Sequence, residues 1–262
     1  MDLTLTDKRA IVCGSTQGIG KAIAVELALL GANITLVARN EDKLKKVLNQ
    51  LPLKQGQAHH YICADFDEPG RLQTAIDQYL IKEGNVHILV NNTGGPAGGK
   101  AIDAKLNEFK AAFRRHLICN QILATAVTPF MKQVGYGRII NVISTSVKAP
   151  IPGLGVSNTI RGAVASWAKT LATELGPYGI TVNNILPGAT STSRLESIIR
   201  SKAERSDITE EDVMIAMKKE IPAGRFATPQ EVGAAAAFLA TPAAAYINGV
   251  NLPVDGGRLE CL

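Results

Sequence analysis

The run Gly14-Ser15-Thr16-Gln17-Gly18-Ile19-Gly20 is the first place in the chain where residue type and spacing imply chemistry. Three glycines so spaced, after a short β-branched run and at the start of an amphipathic one, suit a phosphate-binding turn between a strand and a helix. Gly14 permits a turn that a side chain resists, Gly18 lets a pyrophosphate approach the backbone, and Gly20 lets the helix pack closely. The helix N-terminus then offers free N–H groups and a positive dipole end to the anion. Ser15, Thr16, Gln17 and Ile19 fill the rest of this dinucleotide cradle. The next strand ends Val37-Ala38-Arg39-Asn40. An acid at that tip would bond the ribose hydroxyls of NAD and repel a 2′-phosphate. Arg39 stands there with no carboxylate beside it, so NADP(H) is expected over NAD(H).

The other reactive residue types are sparse. Cys13, Cys63, Cys119 and Cys261 form no CxxC pair and have no His at zinc-ligand spacing, so neither a metal site nor a disulfide framework is expected. A reducing, cytoplasmic setting fits them, and the first residues show no apolar segment of export-signal length. The net charge of +5 is scattered without a basic run, which favours a small anionic ligand over nucleic acid.

These residues need a frame. At 262 residues and 46% hydrophobic content against 19% charged, the chain suits one α/β domain spanning residues 1–262. Short apolar runs at residues 10–13, 33–38, 60–63, 86–90, 138–143, 181–186 and 249–254 read as seven strands. Amphipathic stretches at 19–30, 41–49, 71–81, 106–132, 158–175 and 229–239 read as helices between them. Strands without polar alternation imply a parallel sheet covered on both faces. Residues 232–254 carry no charge, but Pro242, Gly249 and Pro253 break the run, so it reads as a core helix, a turn and a strand rather than a membrane span. Residues 194–220 are charge-rich and read as a helical flap over a site or as a surface excursion.

The glycine spacing recurs with Asn91-Asn92-Thr93-Gly94, Pro187-Gly188, Gly224-Arg225-Phe226 and Val254-Asp255-Gly256-Gly257. Together these resemble the short-chain dehydrogenase/reductase family over almost the whole chain, nearest its 3-oxoacyl-carrier-protein-reductase-like branch. The resemblance implies a Rossmann-type, doubly wound α/β domain with strand order 3-2-1-4-5-6-7, and a homodimer or homotetramer. It places Asp65 near the adenine, Asn91 and Gly94 on the cofactor floor, and Pro187, Gly188 and Thr192 at the nicotinamide. A polar turn is the plainer reading of Asn91 and Asn92.

The family's catalytic Ser falls at Ser144, after Gly137-Arg138-Ile139-Ile140-Asn141-Val142-Ile143. Its Tyr, thirteen positions on, is Ser157; its Lys, four further, is Arg161; its Asn on the preceding long helix is His116. No Tyr in the chain has a Lys four positions later. An aliphatic hydroxyl ionises far above a phenol, and an Arg donates without releasing a proton, so Ser157 is a poor acid. Arg161 suits a cofactor ribose or an anionic group, or else lies solvated or ion-paired. His116 either relays a proton or bonds a backbone carbonyl, and Ser144 either holds a carbonyl oxygen or ends a strand. Residues 94–99 make a glycine loop that either cradles an anion or is a flexible turn. Three functions follow: hydride transfer between NADP(H) and a small carbonyl or alcohol by a non-standard proton route; a dinucleotide-binding pseudoenzyme or partner subunit; or a dehydration or isomerisation on the same fold.

Overall fold

Each apolar run identified above forms a strand in a computed structural model, which describes residues 1–54 and 56–261. The strands are β1 (Arg9–Cys13), β2 (Asn33–Ala38), β3 (His60–Cys63), β4 (Ile88–Asn91), β5 (Gly137–Val142), β6 (Ile180–Pro187) and β7 (Asn251–Val254). All pair in parallel, in the order β3-β2-β1-β4-β5-β6-β7. The helices are α1 (Gly18–Leu29), α2 (Glu41–Leu48), α3 (Pro69–Glu83), α4 (Leu106–Phe113), α5 (Cys119–Val134), α6 (Gly155–Leu175), α7 (Ser193–Ser206), α8 (Glu210–Lys219) and α9 (Pro229–Ala240).

Strand alternation explains why the runs lack polar positions: each strand feeds two cores. Val12 and Ile140 point to one face, where Ile23 and Leu27 of α1 and Val232 and Ala236 of α9 cover them. Ile11 and Ile139 point to the other, beneath Ile76 of α3, Leu123 and Val127 of α5 and Ala168 of α6. A doubly wound α/β sheet binds its ligands outside the carboxyl ends of its strands, and every candidate residue follows such an end or lies on a helix beside it.

Two boundaries differ from the sequence reading for physical reasons. The single helix expected over residues 106–132 is two, α4 and α5, joined by a π turn at Arg114–Ile118. The wider turn lets Arg114 and Arg115 both reach Asp67 while His116 reaches Thr93. The last strand starts at Asn251, because Gly249 at φ +73° cannot continue a strand backwards. Residues 194–220 form most of α7 and α8, which close a small core of Leu195, Ile199, Val213 and Met217 against Phe226. Among the described residues, no helix is long and apolar enough to cross a membrane.

Candidate functional site

The glycine loop is built by close approach. Gly14 sits at φ +58°, and a Cβ there would lie 2.5 Å from the Asn92 carbonyl oxygen. Asn92 fastens the loop from beneath, its Nδ2 donating to the Cys13 and Gly14 carbonyls, each at 3.2 Å. A Cβ at Gly20 would meet the Gly14 carbonyl oxygen at 2.2 Å, so this glycine closes the loop on itself. Gly18, at φ +54°, faces the Thr192 methyl, 3.2 Å from where its Cβ would be. Ser15 is fully buried, and its Oγ accepts from the Val37 N–H at 3.1 Å; its side chain ties the loop to β2. Gln17 is the N-cap of α1 but makes no capping bond, and no acid lies in the first turn. Its Nε2 donates instead to Ser193 Oγ at 3.2 Å. Thr16 and Ile19 are partly buried, Ile19 packing on the α1 and α9 core. The α1 N-terminus therefore keeps free N–H groups beside a loop whose glycines leave the backbone open, which fits a pyrophosphate.

Beyond β2 and β3 opens a cleft of about 400 Å³ lined by Arg39, Cys63, Ala64, Asp65, Glu68 and Arg71. Arg71 bonds Glu68 at 2.9 Å, and Asp65 accepts from the Asp67 N–H at 3.0 Å. Arg71 is a second guanidinium at this cleft that sequence reading did not single out; it arrives from α3, and only the fold brings it to Arg39.

Asn91 ends β4 with its side chain buried, not in a polar turn. Its Nδ2 donates to Asn141 Oδ1 at 2.9 Å, Asn141 donates to Asn184 Oδ1 at 2.9 Å, and Asn184 donates to Asn251 Oδ1 at 2.8 Å. These residues stand opposite one another in β4, β5, β6 and β7, a ladder of amides under the carboxyl ends. Asn91 Oδ1 is buried without a partner. Pro187 closes β6, and Gly188 passes so near Asp255 that a Cβ would lie 2.7 Å from its Cα. Thr192 caps α7 beside Gly18, so it stands at the glycine loop. Gly94 is exposed with open space around it. The rest of its loop is stitched down: Gly99 bridges Leu154 ahead of α6, and Pro96 O accepts from Arg194 at 2.7 Å.

The four positions at the catalytic end come together from β5, α6 and the π turn. Ser144 is half-buried and its Oγ caps the short turn after β5, accepting from the Ser146 N–H at 3.1 Å. Ser157 is half-buried, and its Oγ has no hydrogen-bond partner among the described residues. Arg161, only 8% exposed, donates from Nη1 to the Val142 carbonyl at 3.2 Å and meets no carboxylate. Burial, with Arg194 nearby, pulls its pKa down to about 10. His116 is buried; its Nδ1 lies 2.5 Å from Thr93 Oγ1, where a backbone carbonyl was the plainer expectation, and its Nε2 has no partner. Burial, followed by the charges of Arg161 and Arg115, lowers its pKa to about 2, so the ring is neutral at ordinary pH. Among the described residues, no group of three or more His, Cys, Asp or Glu side chains is placed to hold a metal.

A family model described as enoyl-(acyl carrier protein) reductase matches residues 14–258. The chain belongs to the short-chain dehydrogenase/reductase family. It is 31% identical to the 7alpha-hydroxysteroid dehydrogenase of Escherichia coli (strain K12), over 99% of this chain and 97% of that one. It is 27% identical to the NADPH-dependent reductase BacG of Bacillus subtilis (strain 168), over 98% and 100%. Its structure matches that of the L-sorbose reductase of Gluconobacter frateurii complexed with NADPH and L-sorbose, with a TM-score of 0.92, 30% identity and all of both chains covered. As a short-chain dehydrogenase/reductase, the protein is an oxidoreductase-family member of NADP-binding Rossmann type. It combines the family's seven-stranded sheet with a helix, α6, that bears Ser157 and Arg161.

Proposed function

We propose that this chain is an NADP(H)-dependent oxidoreductase that moves a hydride between the nicotinamide and a small carbonyl or alcohol substrate without a phenol as proton donor. The observation that carries the cofactor half is the cleft at the tips of β2 and β3, where Arg39 and Arg71 stand and no carboxylate ends β2. Those two guanidiniums hold the 2′-phosphate, and Asp65 borders the adenine. Gly14, Gly18 and the α1 N-terminus take the pyrophosphate, with Thr16, Gln17 and Ile19 at its edge and Gly20 and Ser15 keeping the loop in shape. The β4 end with Gly94 forms the floor, and Pro187, Gly188 and Thr192 lie toward the nicotinamide. Relatives whose names include an NADPH-dependent reductase, and a neighbouring structure complexed with NADPH, support the choice.

The bound dinucleotide supplies the hydride or accepts it. Ser144 orients the substrate oxygen, and Arg161 opposes the negative charge that grows there in reduction. Ser157 leaves room and a hydroxyl where the family has a phenol. His116 works as a neutral imidazole: with Nδ1 accepting a hydrogen bond from the Thr93 hydroxyl, its Nε2–H donates a hydrogen bond to the substrate oxygen, and the proton that completes the reduction comes from a water molecule, which leaves as hydroxide. Burial and the two neighbouring arginines exclude a stored imidazolium proton.

Calorimetric titration tests the cofactor half. NADPH is expected to bind at micromolar Kd and NADH much more weakly, with Arg39→Ala or Arg71→Ala costing NADPH about tenfold or more. Equal binding of both nucleotides overturns the preference. The second reading, a dinucleotide-binding pseudoenzyme, draws on the absence from the catalytic end of any group that titrates near neutrality. If the wild type turns over no carbonyl in a broad panel with NADPH while Ser157→Tyr with Arg161→Lys gains turnover, this second reading replaces the first. A cytoplasmic location and a homodimer or homotetramer are part of the same proposal, the assembly supported by exposed Phe113 before the π turn and Ile118 at its end; sedimentation at micromolar concentration checks the assembly.

A further inference from the structure

The charge around Arg161 has no counterpart. Arg161 and Arg194 each bring an Nη2 within 3.8 Å of the Cβ position of Gly95, one from α6 and one from α7, so the two cations flank the same point of the glycine loop. Neither forms an ion pair with an acid among the described residues. Arg194 reaches the Pro96 carbonyl and is exposed; Arg161 reaches the Val142 carbonyl and is buried. Among the described residues the Val142 carbonyl is the one acceptor for the five N–H donors of Arg161, and the charge of Arg194 adds to burial in lowering its pKa. His116 Nε2, buried and without a partner, is a third polar atom of the same region; after burial, the charge of Arg161 acts most strongly on the ring.

Another buried arginine provides the contrast. Arg138, 2% exposed, also lacks an acid, but its Nη1 reaches the Gly137 and Gly179 carbonyls and its guanidinium stacks on Tyr136 at 4.2 Å. That set holds the guanidinium from within the fold, through two carbonyls and a ring face, although its Nε is buried without a partner. Arg161 has half those carbonyls, no ring, and a second arginine turned to the same point. Gly95 contributes no side chain between them, and the loop is held on both sides, by Gly99 against Leu154 and by Pro96 against Arg194.

We propose that Arg161 and Arg194, across Gly95, form a carboxylate-binding site, and that the substrate is a carboxylic acid held there by its anion. The carboxylate bridges the two guanidiniums, one from the active-site helix and one from the flap. This rests on the oxidoreductase reading only for which part of the substrate reacts. The acid docks beside Ser144, because Arg161 is anchored to Val142, two residues before it. Arg194 lies on α7, so binding the anion also fastens the flap to the active-site helix.

The test titrates the NADP⁺-saturated protein with sodium butyrate and sodium 3-phenylpropionate, and in parallel with their primary amides. Both acids are expected to bind in the wild type and the neutral amides at least tenfold more weakly. Arg161→Met and Arg194→Ala should each weaken acid binding about tenfold or more, Arg161→Lys should recover part of it, and NADPH affinity should change less than threefold. Arg194 is exposed, so its variant tests the site even if Arg161→Met does not fold. Amides binding as well as acids, no acid binding in the wild type, or a loss confined to NADPH affinity would overturn the proposal, the last assigning the pair to the cofactor. If the wild type binds neither nucleotide, the cofactor reading fails. The same acid titration on the protein alone then still decides the arginine pair.

Discussion

At the scale of single residues, what could be read in the sequence divides by whether the requirement is local. Gly14 and Gly20 were legible because only a residue without a side chain tolerates the approach of Asn92 or of the Gly14 carbonyl. Gly20→Ala puts a methyl 2.2 Å from that carbonyl oxygen, and the clash is with backbone, so no rotamer relieves it. We expect the variant to lose about 2 kcal/mol or more of stability in urea unfolding and to bind NADPH too weakly for calorimetry. Unchanged values for both would show that the loop shifts without cost. Arg39 was equally legible, standing where one strand must end. Arg71 and Arg194 were not, since each matters through a neighbour distant in sequence that only the folded sheet supplies. His116 was located by counting, but its neutrality arises from burial and from two arginines, which no spacing reveals.

At the scale of elements, strand runs and helices were legible to within a few residues because an apolar pattern with two periods states which faces are covered. The π turn was hidden for the same reason: the apolar pattern runs on through residues 106–132, and only the polar side chains Arg114, Arg115 and His116 need the wider turn. The amide ladder was hidden more deeply, since Asn91, Asn141, Asn184 and Asn251 align only once strand order and register are set. Asn141 is its hinge, donating one way and accepting the other. Asn141→Ala leaves the Asn91 amide without an acceptor and Asn184 Oδ1 without a donor, both in buried surroundings. The expected loss is about 2–4 kcal/mol from a shift in the urea midpoint at constant m-value. A loss within about 0.5 kcal/mol would mean that the ladder adds nothing to the sheet.

At the scale of the whole molecule, two histidines couple the fold to pH. Burial comes first among the causes that hold His116 at about 2 and His87 at about 4, both below the ordinary value of about 6.5. The unfolded chain binds protons that the folded chain refuses, so stability is full above about pH 6.5 and falls as pH drops below it. Each histidine adds up to about 1.4 kcal/mol per pH unit to that slope, until the folded group itself protonates. Urea midpoints of wild type and His116→Gln, followed from neutral to mildly acid pH, should show the variant with the shallower fall. Parallel curves would mean that His116 reaches solvent when it charges. The ladder, too, acts on the molecule as a whole. Asn91, Asn141 and Asn184 all donate in one direction, from β4 towards β7, and Asn251 accepts at the end, so none can turn over without breaking a bond on at least one side. It is in effect one unit of information written four times: whichever amide is observed, in a nuclear resonance spectrum or by neutron diffraction, the orientation of the other three follows from it.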